Sequence, residues 1–186
     1  TTQKPKRVID LISDLYSNKN SSVHRSVNYL SGQMTEAYEQ ARETVRSYLG
    51  AAGTNEIIFT SGATGSINLV ANSFGNTFIK KGDEVLVSAL EHHANIVPWQ
   101  LTCERVGAVL KVIPMDSEGN LILTELDSLL SQKVRIVAVA HVSNAMGTIQ
   151  PVKEIIEKAH GKYIQVLVDG AQSVQHGQID VQLLDC

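Results

Sequence analysis

The chain has 186 residues, 43% of them hydrophobic and 19% charged, with a formal net charge of −3. That is enough apolar side chain for a core, and the near-neutral balance carries no field of the kind that gathers nucleic acid. No apolar run approaches the ~20 residues of a membrane-spanning helix, and the two cysteines, Cys103 and Cys186, offer neither metal spacing nor a disulfide framework, as expected of a cytoplasmic chain.

In chain order, helix-like and strand-like segments alternate. Residues 6–16 and 35–49 carry apolar side chains at helical spacing, with Val8, Leu11, Ile12 and Leu15 on one face of the first; the polar stretch 17–33 between them predicts a loop. Strands are predicted at 56–60, 84–88, 109–113, 135–141 and 165–168. The segments 66–78, 95–106, 124–130 and 151–160 predict crossover helices, with Pro151 suited to a first helical turn and Gly82, Gly107 and Gly161 as punctuation. Such alternation builds a mostly parallel sheet with crossover helices, an α/β fold read as a single domain without repeats or linkers.

Three strand ends carry chemistry. The apolar run Val166-Leu167-Val168 reads as a buried strand that delivers Asp169 into the small turn Gly170-Ala171. His92 follows the strand at 84–88, and Asn144 follows the strand at 135–141. Ligands of parallel α/β folds bind at the carboxyl ends of strands. An imidazole can stack on a flat, electron-poor heteroaromatic ring, a carboxylate can hold a ring nitrogen protonated, and amides can bind a phenolic oxygen. Gly62-Ala63-Thr64-Gly65-Ser66, opening a predicted helix, adds backbone amides and hydroxyls for a phosphate. Pyridoxal 5′-phosphate (PLP) has all of these handles. Singly, each feature has a plainer use: Asp169 as a turn acid, His92 as a loop histidine, Trp99 and Cys103 as packed residues of the helix 95–106, and His141 as a structural residue.

Ser22-Val23-His24-Arg25, the stretch from Glu91-His92-His93-Ala94-Asn95 to Pro98-Trp99-Gln100, His141-Val142-Ser143-Asn144 and Val168-Asp169-Gly170-Ala171-Gln172 occur in one order along the whole chain. Together they resemble the group II cysteine desulfurases and selenocysteine lyases, in the class-V aminotransferase branch of the fold-type I PLP enzymes. The resemblance implies that His92 stacks on the pyridine ring and Asp169 pairs with its nitrogen, the two forming the catalytic pair. It implies that Asn144 and Gln172 lie near the phenolic oxygen, and that Ala63 and Thr64, with neighbouring backbone amides, hold the phosphate. His24 and Arg25 match a loop at the active-site mouth that meets substrate. Where the family has Gly-Thr-Thr-Glu, this chain has Ala63 and Gly65, which removes a hydroxyl and a carboxylate.

The implied activity converts L-cysteine to L-alanine and leaves the sulfur as a persulfide on an enzyme thiolate, for a sulfur-acceptor protein of iron–sulfur cluster assembly; the implied full-length enzyme is a homodimer. The resemblance further implies that the chain is part of the large cofactor domain, with 1–33 an N-terminal helix and active-site loop and 34–186 the α/β core. The lysine that carries PLP covalently and the nucleophilic cysteine would then lie outside the chain, making it inactive alone, and strand 56–60 would pair with strands beyond Cys186, leaving a gap in the sheet. Two other readings stay open, a non-catalytic interaction module and another class-V PLP reaction such as that of selenocysteine lyase. A dinucleotide fold is disfavoured, because no Gly-x-Gly-x-x-Gly follows a strand.

Overall fold

The computed structural model describes residues 3–186, which divide between Ile57 and Ile58 into two units. In the first, the Asn28 side chain caps α2 (Tyr29–Leu49) by accepting from the Ser31 amide at 2.8 Å, and Gly50, at φ 67°, closes the other end in the left-handed conformation. The cap starts α2 six residues before the predicted position 35, because a side-chain acceptor at Asn28 satisfies an amide that the polar sequence alone would have left to solvent. Arg42 and Arg46 pair with Glu39 and Glu43 at 3.3 and 2.7 Å along the helix. Both also donate beyond it, Arg42 to the carbonyls of Thr54 and Ile57 and Arg46 to that of Ala51. α1 (Lys6–Asp14) passes into a single π-helical turn, Leu15–Lys19, and its Val8, Ile9, Leu11 and Ile12 are all exposed.

The second unit is built on four parallel strands in the order β2-β1-β3-β4: β1 (Glu84–Ser88), β2 (Val109–Ile113), β3 (Val134–Ala140) and β4 (Gln165–Asp169). Side chains alternate across a strand, so neighbours on the central strands serve opposite faces. Leu86, Val137 and Val139 pack with Ile113, Val152 and Ile155, while Val85, Val87, Ile136 and Ala138 pack with Ala71, Trp99 and Cys103. The helices behind these contacts are α6 (Val152–His160) on the first face, and α3 (Ala63–Phe78) and α4 (Val97–Val106) on the second. α3 and α4 cross closely at Gly75, where an added Cβ would come within 2.5 Å of Thr102 Cγ2. Two short helices, α5 (Leu126–Leu129) and α7 (Val181–Leu184), complete the unit. The mostly parallel α/β reading is borne out.

Four expectations change. Residues 57–60 form no strand: a strand exists only within a ladder, the four-stranded sheet leaves this segment outside, and Ile58 is 69% exposed. The four strands that form are contiguous, and this segment pairs with none of them. β4 is an edge strand, and its Val166, Leu167, Val168 and Asp169 are half-buried where the apolar run predicted full burial. The helix predicted at 124–130 shrinks to Leu126–Leu129, since the amides of Glu125 and Leu126 bond three residues back, to Ile122 and Leu123, in turns, and the Ser131 amide turns back to Leu129 at the other end. Pro151 sits at the N-cap of α6 and not inside its first turn.

Candidate functional site

At the carboxyl ends of β1, β3 and β4 the second unit holds a cleft of about 190 Å³, lined among others by Ala63, Thr64, His92, Asn144, Asp169 and Gln172. All six residues expected around a cofactor thus come together from four separate elements. The cause is topological: three parallel strands end at one edge, and the turns that leave them, with the start of α3, have nowhere else to go.

Each side chain is placed by local bonds. Asp169 is the last residue of β4; its Oδ1 accepts from the Ala171 amide at 2.9 Å, while its main-chain carbonyl accepts from the His141 amide at 3.0 Å and so continues the ladder with β3. His141, whose imidazole is held below its usual pKa by burial, serves that ladder and a 2.8 Å bond from the Gln150 amide, in keeping with its structural reading. Asn144 is exposed on a turn in which Ser143 Oγ accepts from the Met146 amide and the Ser143 carbonyl from Gly147, the latter at φ 71°. His92 caps a 3-10 turn, His93–Asn95, by accepting from the Ala94 amide at Nδ1 (3.1 Å), which places the proton of the neutral ring on Nε2.

The start of α3 has the character of an anion site. Gly62, at φ 134°, lets the chain turn sharply into the helix with no side-chain cap, and the first amide bonded back within the helix is that of Ser66, to the Gly62 carbonyl. Ala63 and Thr64, the first two residues of the helix, line the cleft, and helix-start amides without an intrahelical partner are suited to an anion. Thr60 and Ser66, joined Oγ to Oγ at 2.7 Å, brace the turn. A helix start with no side-chain cap, a half-buried carboxylate that meets no cation among the described residues and an exposed imidazole fit a phosphorylated pyridine ring with a protonated nitrogen.

His24 and Arg25 belong to the first unit. His24 takes φ 58°, donates its amide to Thr35 Oγ1 at 3.0 Å and pairs through Nε2 with Glu39 at 2.9 Å; Arg25 is exposed. Cys103 is buried against the sheet, its thiol pushed up to about 11 by desolvation, and neither it nor Cys186 lines the cleft. Sequence reasoning missed Glu91, whose carboxylate accepts from the amide of Ala140, a residue that lines the cleft. Its signal was an acid three residues past an apolar strand, with hydrogen-bonding residues at Ser88 and Asn95, three before it and four after.

A family model described as aminotransferase class-V matches residues 1–186. The chain belongs to that family. Its members are PLP enzymes. It is 53% identical over its full length to a cysteine desulfurase of Synechococcus elongatus, covering 30% of that protein, and 48% identical to a cysteine desulfurase of an Enterobacter species, covering 46%. A solved apo cysteine desulfurase from Thermococcus onnurineus superposes on 99% of the chain with a TM-score of 0.91 at 37% identity, the match taking in 45% of that structure. The architecture is that of the fold-type I PLP enzymes. The chain spans less than half the length of these relatives.

Proposed function

We propose that the cleft binds PLP and that the protein carrying this chain is a group II cysteine desulfurase. The observation that carries the proposal is the convergence of His92, Asp169, Asn144, Gln172, Ala63 and Thr64 on one cleft. Thr64 and the free amides at the start of α3 bind the phosphate, the His92 ring covers one face of the pyridine, and Asn144 and Gln172 bind its phenolic oxygen. The Asp169 carboxylate keeps the proton on the ring nitrogen, a charge-assisted bond in a half-buried site. When bound, PLP supplies an electron-withdrawing ring that weakens bonds at the substrate α-carbon.

The substrate in this reading is L-cysteine, for which the family resemblance proposes His24 and Arg25 as contacts. Its carbon–sulfur bond breaks, a sulfur–sulfur bond forms with an enzyme thiolate, and L-alanine leaves; the persulfide then passes to a sulfur-acceptor protein of iron–sulfur cluster assembly. A homodimeric, cytoplasmic enzyme fits this role, and among the described residues no helix is long and apolar enough to cross a membrane. The thiolate is neither buried Cys103 nor Cys186, and no lysine lines the cleft among the described residues. The chain by itself therefore binds PLP without a covalent link and does not turn over.

A PLP titration followed by absorbance tests this reading. Saturable binding that borohydride does not make permanent, and that weakens on Thr64→Ala, is expected. Absence of saturable binding, or alanine release from L-cysteine by the chain alone, would overturn it.

A further inference from the structure

Glu91 lies three residues past β1, and its carboxylate is held entirely by neutral donors. Oε1 accepts from the Ser88 hydroxyl, at the end of β1, and from the Ala140 amide, at the end of β3, the latter at 2.8 Å. Oε2 accepts from Asn95 Nδ2 at 2.6 Å, and Asn95 Oδ1 in turn accepts from the Trp99 indole at 3.1 Å. Asn95 and Trp99 are completely buried. The segment 91–95, which carries His92, is thereby closed on itself: the side chains of Glu91 and Asn95 join its two ends, and the Asn95 amide donates to the His92 carbonyl at 2.8 Å.

These bonds run in one direction. The indole can only donate, so Asn95 must turn its oxygen to Trp99 and its NH2 to residue 91; residue 91 must then accept there, and accept again from an amide and a hydroxyl. A carboxylate meets that demand on both oxygens, whereas a glutamine would set its NH2 against the NH2 of Asn95 or, turned over, against the Ala140 N–H. Burial pushes the Glu91 acid upward in pKa, the three donors oppose this, and the charge of Asp169 adds to the upward push. The groups facing Glu91 are thus Ser88 on β1, the Ala140 amide on β3, Asn95 on the 3-10 turn and Asp169 on β4.

Resting on the reading of the cleft as a PLP site, we infer that Glu91 is its positioning residue: the carboxylate rivets the ends of β1 and β3 to the turn that presents His92, and so sets where the imidazole lies over the cofactor ring. Glu91 does not touch the cofactor; it acts through His92 and through the spacing of the ends of β1 and β3, the strands that His92 and Asn144 follow.

The test compares the unaltered protein, Glu91→Gln, and the double variant Glu91→Gln with Asn95→Asp. In the double variant the new amide donates to the new carboxylate, which also accepts from Trp99, so the relay is satisfied again and the charge is conserved one step away. Two readouts are taken: the induced circular dichroism of bound PLP, which reports ring orientation, and the emission of Trp99, the sole tryptophan. Glu91→Gln is expected to bind PLP about tenfold more weakly, to lose most of the induced dichroism and to shift the Trp99 emission; the double variant is expected to regain both signals. A single variant indistinguishable from the unaltered protein overturns the role of Glu91 and leaves the PLP reading standing. A single variant that loses its far-ultraviolet helix signal, with no recovery in the double variant, reduces Glu91 to general packing and also overturns it. Absence of PLP binding by the unaltered protein overturns the cofactor reading and the positioning role together.

Discussion

At the amino ends of the strands Asp83 lies 2.9 Å from Arg135 and Glu84 lies 2.9 Å from Lys111, whereas at the carboxyl ends Glu91 and Asp169 meet neutral donors only and, among the described residues, enter no ion pair. The Arg135 guanidinium holds Asp83 below the usual carboxylate range. Burial presses Glu84 upward, but Ser131 and Lys111 outweigh it and the net shift is downward; for Glu91 burial wins and the shift is upward. Acids at one end have spent their charge on protein cations and serve only to hold strands together. At the other end Glu91 is committed to neutral donors, while Asp169, which meets no protein cation among the described residues, retains the capacity to take the protonated pyridine nitrogen of the proposed cofactor.

The largest expected effect strikes both ends at once. Leu86 is fully buried in the middle of β1, and Leu86→Ala should cost about 3 kcal/mol in denaturant unfolding through the cavity it leaves; a loss below ~1 kcal/mol would mean that the sheet is not the common support of the two ends. Next, Asp169→Asn should weaken PLP binding roughly 10- to 100-fold in an absorbance titration, the worth of one charge-assisted hydrogen bond, with unfolding little changed. Equal affinity for the two proteins would break the contrast between the ends.

The pH dependence separates the ends by sign. Asp83 has a depressed folded pKa, so its stabilisation is present above the ordinary value of 3.8 and is lost as pH falls through the lower, folded value. Glu91 has a raised folded pKa, so the folded state binds its proton more tightly than the unfolded chain, and the contribution of this group to stability declines as pH rises from the ordinary 4.5 through the folded value. Trp99 emission, coupled to Glu91 through Asn95, should therefore titrate with a midpoint above 4.5, and a midpoint below it would contradict the burial argument. The smallest effect belongs to Arg135→Ala, at most about 1 kcal/mol in thermal unfolding because Arg135 is 46% exposed, with PLP affinity unchanged.

Much of the second unit was legible from local pattern. β1 and β2 occupy the predicted residues, β3 is displaced by one and β4 gains Asp169, since short Val- and Ile-rich runs bounded by turns have few other uses. The segment 57–60 reads the same way and fails, because nothing in its own residues says whether a neighbouring strand is there to pair with. Cap chemistry misled in the other direction at α2, where Asn28 began a helix inside a stretch read as a loop.

The sequence by itself determined the parallel α/β class, the resemblance to class-V aminotransferases and the residue types a PLP site needs, because strand periodicity and strand-end motifs are local properties of the chain. Only the tertiary structure decided that Thr64, His92, Asn144 and Asp169 share one cleft, that β4 is an exposed edge, and that Glu91 joins β1 to β3, since each depends on which strand ends lie side by side, and that is settled by packing between segments as far apart as Glu91 and Ala140.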